Sequence, residues 1–250
     1  RQMCIRDRDC YLEVLECSKR HGITSVLALA YNNIGSRYQE LRQHQKAIGY
    51  FERSADELEK VTDTENENFQ IRYLITHMNL MKSYGELDRL DDARKELLKL
   101  EKCSQGIVNE MYRYSYLTLK SRLYWNIGEK EYVYEHLDEL IKGGIDDSNA
   151  ADYIEDVSDL CGLLKDMQEF DKWKRVILAF EQHAKKQNSI YYEMILNEMW
   201  LDYYKELGDN EQYVKLCIHY VDVAQQQKKA DNEERACAID LKIELQEKEE

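Results

Sequence analysis

The chain has 250 residues, a formal net charge of −14 at pH 7 and no proline. Such an acidic chain repels a phosphate backbone, and no run of Lys or Arg offsets the charge, so a direct nucleic-acid partner is not expected. No stretch of about 18 residues is free of charge, which excludes insertion into a membrane. The absence of proline, which costs roughly 3 kcal/mol in a helix interior, predicts an all-α protein.

The first eight residues differ from the rest of the chain. Met3-Cys4-Ile5-Arg6-Asp7-Arg8 resembles the translation of a transposon end sequence used to build sequencing libraries. We interpret residues 1–8 as a non-native scar, in which case the natural protein is expected to continue upstream of residue 9. The alternative is an ordinary charged start of a helix. The segment also lacks the apolar core of a secretory signal, and the seven cysteines form no CxxC pair. A cytoplasmic location with reduced thiols is therefore expected.

Amphipathic segments follow one another along the chain. Apolar residues at i, i+3, i+4 and i+7 predict helices near residues 9–20, 24–41, 44–60, 68–86, 90–103, 107–127, 130–142, 147–167, 169–186, 189–207, 210–227 and 230–249. The first of them is interpreted as the second helix of a pair whose first helix is missing. Residues 61–67, rich in Thr, Asn and Asp, are the predicted flexible insertion.

Three sets of residues recur in one register. The first set has steps of 46, 40, 40 and 40 residues: Tyr38, Tyr84, Tyr124, Leu164 and Tyr204. Nine residues later stand Ala47, Ala93, Val133, Trp173 and Tyr213, and four further on Phe51, Leu97, Leu137, Ile177 and Cys217. Two short antiparallel helices cannot bury their apolar faces alone, so these columns predict helix pairs that stack on their neighbours.

The turns between the helices of a pair carry their own signals. Gly128 and Gly208 follow predicted helices at the position where a helix end favours a left-handed residue. Asp209 with Gln212 predicts a capping box for the next helix.

One unit resembles a tetratricopeptide repeat, because Tyr31, Ile34, Gly35, Tyr38, Ala47 and Phe51 stand at that family's signature offsets. Later units depart from the pattern: their period is 40 residues rather than about 34, the closing proline is missing, and Trp173 and Tyr213 occupy the small-residue position. The resemblance implies an α-solenoid of about five antiparallel helix pairs over residues 9–228, wound as a right-handed superhelix.

In the family that the chain resembles, the first helices line a concave groove that binds proteins or peptides. The groove-facing offsets fall here at Asn32, Ser36, Gln39, Met78, Lys82, Thr118, Arg122 and Trp125. The resemblance implies that these residues contact a partner, and the alternative is that they are ordinary solvated side chains. The Lys and Asn set that clamps a peptide carboxylate in some members is not reproduced, so a C-terminal peptide is not the expected ligand.

Residues 229–250 are acidic and carry only a narrow apolar stripe, Ala238, Leu241 and Leu245. The stripe predicts a C-terminal capping or linker helix and leaves dimerisation through that helix open.

Signatures of catalysis are missing from the sequence. It contains no HExxH, CxxC, GxSxG or Walker motif, and its one adjacent glycine pair, Gly143-Gly144, lacks the Lys-Ser ending of a phosphate loop. We therefore expect no enzyme activity, no cofactor and no metal site.

Repeats followed by a charged helix resemble the N-terminal regions of bacterial signalling proteins of the diguanylate cyclase type. This resemblance implies the sensory or interaction region of a larger protein. The alternatives are the peptide-sensing domain of a transcription regulator that has lost its DNA-binding domain, or a free-standing adaptor. A helix-turn-helix upstream would favour the regulator, and a catalytic domain downstream would favour the signalling protein.

Overall fold

The computed structural model describes residues 14–249 except 19, 22, 62, 63, 65, 104–109 and 146–153. The regular elements in this part are α-helices: α1 Thr24–Glu40, α2 His44–Leu58, α3 Glu67–Glu86, α4 Leu90–Cys103, α5 Glu110–Ile127, α6 Lys130–Ile145, α7 Ile154–Asp166, α8 Phe170–Gln187, α9 Ile190–Leu207 and α10 Asn210–Glu249. Residues 14–18 are also helical. The predicted all-α fold is confirmed, while the predicted scar at residues 1–8 lies outside the described residues. None of the described helices is both long and apolar enough to cross a membrane.

Contacts divide the chain into two compact units, of which the first ends at His136 and the second begins at Leu137. In the first unit α1 packs on α2 and α3 on α4, and the pairs are joined by contacts of α2 with α3 and α4 with α5. The first helices of successive pairs also meet, α1 with α3 and α3 with α5. In the second unit α7 contacts α8 and α9, α8 contacts α9, and α9 contacts α10. These sequential antiparallel pairs are consistent with a helical repeat array.

The first helix of every pair ends with the same backbone hydrogen bond. Each residue of the first recurring set accepts, at its carbonyl oxygen, a hydrogen bond from the backbone amide five residues later. The donor–acceptor distances are 2.8–3.0 Å: Gln43 to Tyr38, Arg89 to Tyr84, Glu129 to Tyr124, Glu169 to Leu164 and Asp209 to Tyr204. The residue before each of these amides is left-handed, with φ between 56° and 89°: Arg42, Asp88, Gly128, Gln168 and Gly208. This is the Schellman ending of a helix. The two glycine predictions are confirmed, and three equivalent turns do without glycine.

The core of the first unit contains the predicted columns. Ala47, Phe51, Ala93 and Leu97 are at most 2% exposed and cluster with buried residues of α3, including Tyr84. Because Leu123 of α5 joins the same cluster, one continuous core runs through α2, α3, α4 and α5.

The second unit has its own core around Trp173 of α8. Leu164, Trp173 and Ile177 are at most 1% exposed, although Trp173 stands where a tetratricopeptide repeat has a small residue. Its ring meets that of Tyr203 on α9 edge to face, with centroids 5.2 Å apart. The recurring residues are less buried in α10, where Cys217 is only half-buried.

The last helix corrects one predicted boundary. We expected a break between residues 227 and 230, but α10 is a single helix of 40 residues. The physical reason is composition: no glycine or proline follows Gly208, and the Gln and Lys residues at the expected break are good helix formers. One of the two hydrogen bonds of the predicted capping box is present, because the amide of Gln212 donates to Oδ1 of Asp209 over 3.1 Å. The amide of Asp209 donates instead to the carbonyl of Tyr204.

Candidate binding surface

The eight predicted groove residues lie on the first helices of three successive pairs. They belong to α1 (Asn32, Ser36, Gln39), α3 (Met78, Lys82) and α5 (Thr118, Arg122, Trp125). Because α1 contacts α3 and α3 contacts α5, these positions lie side by side within the first unit. We call this set of eight residues the first-helix face.

The members of the first-helix face differ in exposure. Met78 is 7% exposed and Thr118 is 0% exposed, so both are closed to a partner. Met78 forms an apolar cluster with Leu74 of α3 and Leu100 of α4, and Tyr116 and Leu119 of α5 pack against that cluster. The other six residues are half-buried and remain accessible. The accessible part of the face is therefore smaller than predicted, and contact with a partner there stays a prediction.

Polar members of the face connect α1 to α3. Nε2 of Gln39 donates to Oγ of Ser83 over 2.8 Å and to the carbonyl of Asn79 over 3.1 Å. Oδ1 of Asn32 accepts from Nδ2 of Asn79 over 3.2 Å. Asn32 and Gln39 are therefore more than ordinary solvated side chains, because their hydrogen bonds also hold neighbouring first helices together.

Trp125 is the aromatic member of the face. Its indole is half-buried, and Nζ of Lys130 lies 4.4 Å from the ring centroid, within the range of a cation–π contact. The ring of Tyr134 approaches edge to face at 6.3 Å. An aromatic ring that is partly wet and supported on two sides is well placed to anchor a partner.

A buried hydrogen-bonded pair of side chains, which the sequence analysis missed, joins α3 to α4. Nδ1 of His77 lies 2.5 Å from Oε2 of Glu96, and the two residues are 2% and 6% exposed. Lys99 adds a second partner for Glu96 at 3.0 Å, and the ring of Tyr73 lies 4.1 Å from that of His77. Burial raises the pKa of the Glu96 carboxyl, but hydrogen bonds with His77 and Lys99 outweigh it and leave the pKa below its usual value.

The burial of His77 could have been predicted from its position in the sequence. It precedes Tyr84 by seven residues, which places both on one face of α3 and therefore in the core. The sequence analysis did not use this spacing.

A second missed feature surrounds Lys120 of α5. Its Nζ lies 2.7 Å from Oε1 of Glu101 and 5.1–5.8 Å from the ring centroids of Tyr116, Tyr124 and Tyr132. Burial opposes the charge, yet the Glu101 hydrogen bond and the tyrosines raise the pKa of Lys120 above its ordinary value. The signal in the sequence was the spacing of Tyr116, Lys120 and Tyr124 at i, i+4 and i+8, which puts them on one helical face.

Two observations on the described residues concern metal binding and cysteine reactivity. Among these residues, no group of three or more His, Cys, Asp or Glu could hold a metal ion. Burial raises the pKa of the Cys161 thiol to about 12, whereas a nucleophilic cysteine needs a lowered pKa.

Comparison with known proteins leaves the family open. No protein-family model matches the chain, and no curated protein matches its sequence.

Proposed function

We propose that this chain is a tetratricopeptide-like module that binds a protein or peptide. The observation that carries the proposal is the first-helix face, where Trp125, Arg122 and Lys82 remain accessible at repeating offsets on packed first helices. Aromatic and arginine side chains are the residues that most often dominate binding energy at interfaces. The acidic charge of the whole chain argues for a polypeptide partner rather than a nucleic acid.

Two features support the tetratricopeptide-like part of the proposal. Gly35 lies against the ring of Phe51, which is the close approach that the family's signature glycine permits. The five first helices share one Schellman ending, so the repeat extends to the hydrogen bonds of the turns.

The test is a selection of random displayed peptides against the whole chain, followed by affinity measurements on the selected peptides. Trp125→Ala and Arg122→Ala should each weaken binding about tenfold or more, as expected of interface hot spots. Leu98→Ala is the matched control, because Leu98 is 47% exposed but lies on α4, outside the first-helix face. Equal affinities of all variants for the peptides would show that the first-helix face is not the binding site.

We further propose that the module belongs to a larger bacterial signalling protein. Support comes from the resemblance of the repeats and the charged last helix to the N-terminal regions of such proteins. Recovering the full reading frame from source DNA tests this idea. A catalytic output domain in the same frame is expected, and an upstream helix-turn-helix would favour the transcription-regulator alternative instead.

A further inference from the structure

The last helix carries three exposed apolar residues in a row. Val214, Ile218 and Val221 of α10 are 56%, 64% and 52% exposed. Their spacing of four and three residues places them on one face of the helix. Val223 on the opposite face is 3% exposed, and α9 is the described helix that packs against α10. We call Val214, Ile218 and Val221 the α10 stripe, and it faces away from α9.

Equivalent positions on α2 are covered by the next helix. Counted from the second recurring set of residues, the α10 stripe corresponds to Ile48, Glu52 and Ala55 of α2. Ile48 and Ala55 are buried in one cluster with three residues of α3: Leu80, Met81 and Tyr84. Oε1 of Glu52 accepts a hydrogen bond from the hydroxyl of Tyr84 over 2.8 Å. The α10 stripe is therefore a surface on which a further helix can pack, as α3 packs on α2.

The rest of α10 does not cover the stripe. The helix continues from Val221 to Glu249 without a turn, so these residues move away along the helix axis by about 1.5 Å each. Three adjacent aliphatic side chains in water form an apolar patch of the kind that marks an interaction site. The helix that covers the patch has to come from another chain or another part of a longer chain.

The residues that flank the stripe are complementary to a second α10 in one orientation. In an antiparallel helix pair, Ile218 of one copy lies opposite Val221 of the other. Glu211 is seven residues before Ile218 and Lys228 is seven residues after Val221, so Glu211 of each copy then lies opposite Lys228 of the other. Glu211 is 75% exposed even though it pairs with Lys215 of its own helix. A parallel pair would instead oppose like charges at both positions, so the charges favour the antiparallel pair.

We propose that the α10 stripe is a self-association surface, on which a second copy of this chain packs its own α10 antiparallel about a two-fold axis. Such a contact uses the same residues on both copies, so each apolar residue and each opposite charge counts twice. The stripe lies before residues 229–250, where the sequence left dimerisation open. It also lies outside the first-helix face, which belongs to the first unit, so the proposal does not depend on peptide binding.

Sedimentation equilibrium of the whole chain tests the proposal. Physiological ionic strength is needed to screen the charge of −14 on each copy. The weight-average mass should rise from that of one chain at low micromolar concentration towards twice that value near millimolar concentration. The mass of one chain at every concentration, or a limit above two copies, would overturn the proposal.

A charge placed in the stripe tests its location. Ile218→Glu opposes a carboxylate to an apolar residue twice in the contact, and it should raise the dissociation constant of the dimer about tenfold or more. Leu178→Glu is the matched control, because Leu178 of α8 lies 40 residues earlier at the equivalent position and is 43% exposed. This control should leave the dissociation constant nearly unchanged. Equal effects of the two variants would place the contact elsewhere.

A charge exchange tests the orientation. Glu211→Lys or Lys228→Glu alone opposes like charges across the antiparallel contact and should weaken association several-fold. The double variant restores opposite charges and should recover the affinity of the unaltered chain. All three altered side chains of α10 are exposed, so circular dichroism should show unchanged folding. A double variant that associates no better than the single variants would contradict the antiparallel arrangement.

Discussion

Gly35 of α1 lies directly against the ring of Phe51 of α2. A Cβ atom built on Gly35 would be 2.6 Å from Cε1 and 2.7 Å from Cδ1 of that ring. Phe51 is 0% exposed, so its ring has no free space to move into. The glycine is therefore required by the close packing of the first helix pair.

This contact predicts that Gly35→Ala destabilises the first unit. Alanine gains about 1 kcal/mol of helix propensity, but overpacking a filled core costs about 1–3 kcal/mol, so a net loss of about 1 kcal/mol is expected. Gly49→Ala in α2 is the matched control, because a Cβ there meets nothing within 4 Å. Urea unfolding should show opposite signs for the two variants, and a stabilised Gly35→Ala would refute the steric argument.

The left-handed turn residues give a prediction for the second unit. Gln168 has φ of 58° at a position where the equivalent residue in the next pair is Gly208. The left-handed conformation costs a non-glycine residue roughly 1 kcal/mol, so Gln168→Gly should stabilise the second unit by up to about that amount. Gln182→Gly, at an exposed position inside α8, should instead destabilise it by about 1 kcal/mol. Thermal unfolding of the two variants measures both effects. A loss of stability in Gln168→Gly would mean that contacts of the glutamine side chain outweigh the strain of its left-handed backbone.

Local periodicity explains why much of the fold was predictable. The columns that contain Ala47 and Phe51 depend on helical spacing within one segment, and the glycine turns depend on the backbone freedom of one residue. The prediction of a helix break before residue 230 was wrong because a change of surface charge does not end a helix in the absence of glycine or proline.

The candidate sites were less predictable because they depend on which helices meet. Gln39 and Asn79 are 40 residues apart, and no local pattern indicates that their side chains form a hydrogen bond. A pocket of the second unit that Asn197 of α9 and Leu216 of α10 both line likewise depends on which helices meet. The available signal was the comparison of equivalent positions across the repeat, since the 40-residue period relates the pair His77 and Glu96 to Asn197 and Leu216.

The buried Glu96 predicts a dependence of stability on pH. The carboxyl pKa in the folded chain lies below 4.5, its ordinary value. The ionised group therefore contributes stability above pH 4.5, and this contribution is lost as the pH falls through the folded-state pKa. Glu96→Gln should lower stability at neutral pH by roughly 2 kcal/mol, because a buried charged hydrogen bond is removed. It should also flatten the acid limb of the stability profile.

The control for Glu96 lies on the same helix. Asp92 pairs with Lys95 and Arg89 at the surface, and these hydrogen bonds also lower its pKa. Since solvent screens this carboxylate, Asp92→Asn should change stability much less than Glu96→Gln. Urea unfolding at a series of pH values compares the two variants. Identical acid limbs would mean that the buried pair is not the group that titrates.

The tyrosines around Lys120 predict that its charge, and not only its length, stabilises the first unit. Lys120→Met keeps an unbranched apolar chain but removes the ammonium from Glu101 and from the three rings, so a loss of about 1–2 kcal/mol is expected. Lys120→Arg retains a cation and should lose less. Lys95→Met tests a lysine whose ion pair with Asp92 is exposed, and it should have little effect. Urea unfolding of the three variants separates the possibilities: if Lys120→Met is as stable as the unaltered chain, the rings serve only as apolar packing around the aliphatic part of the side chain.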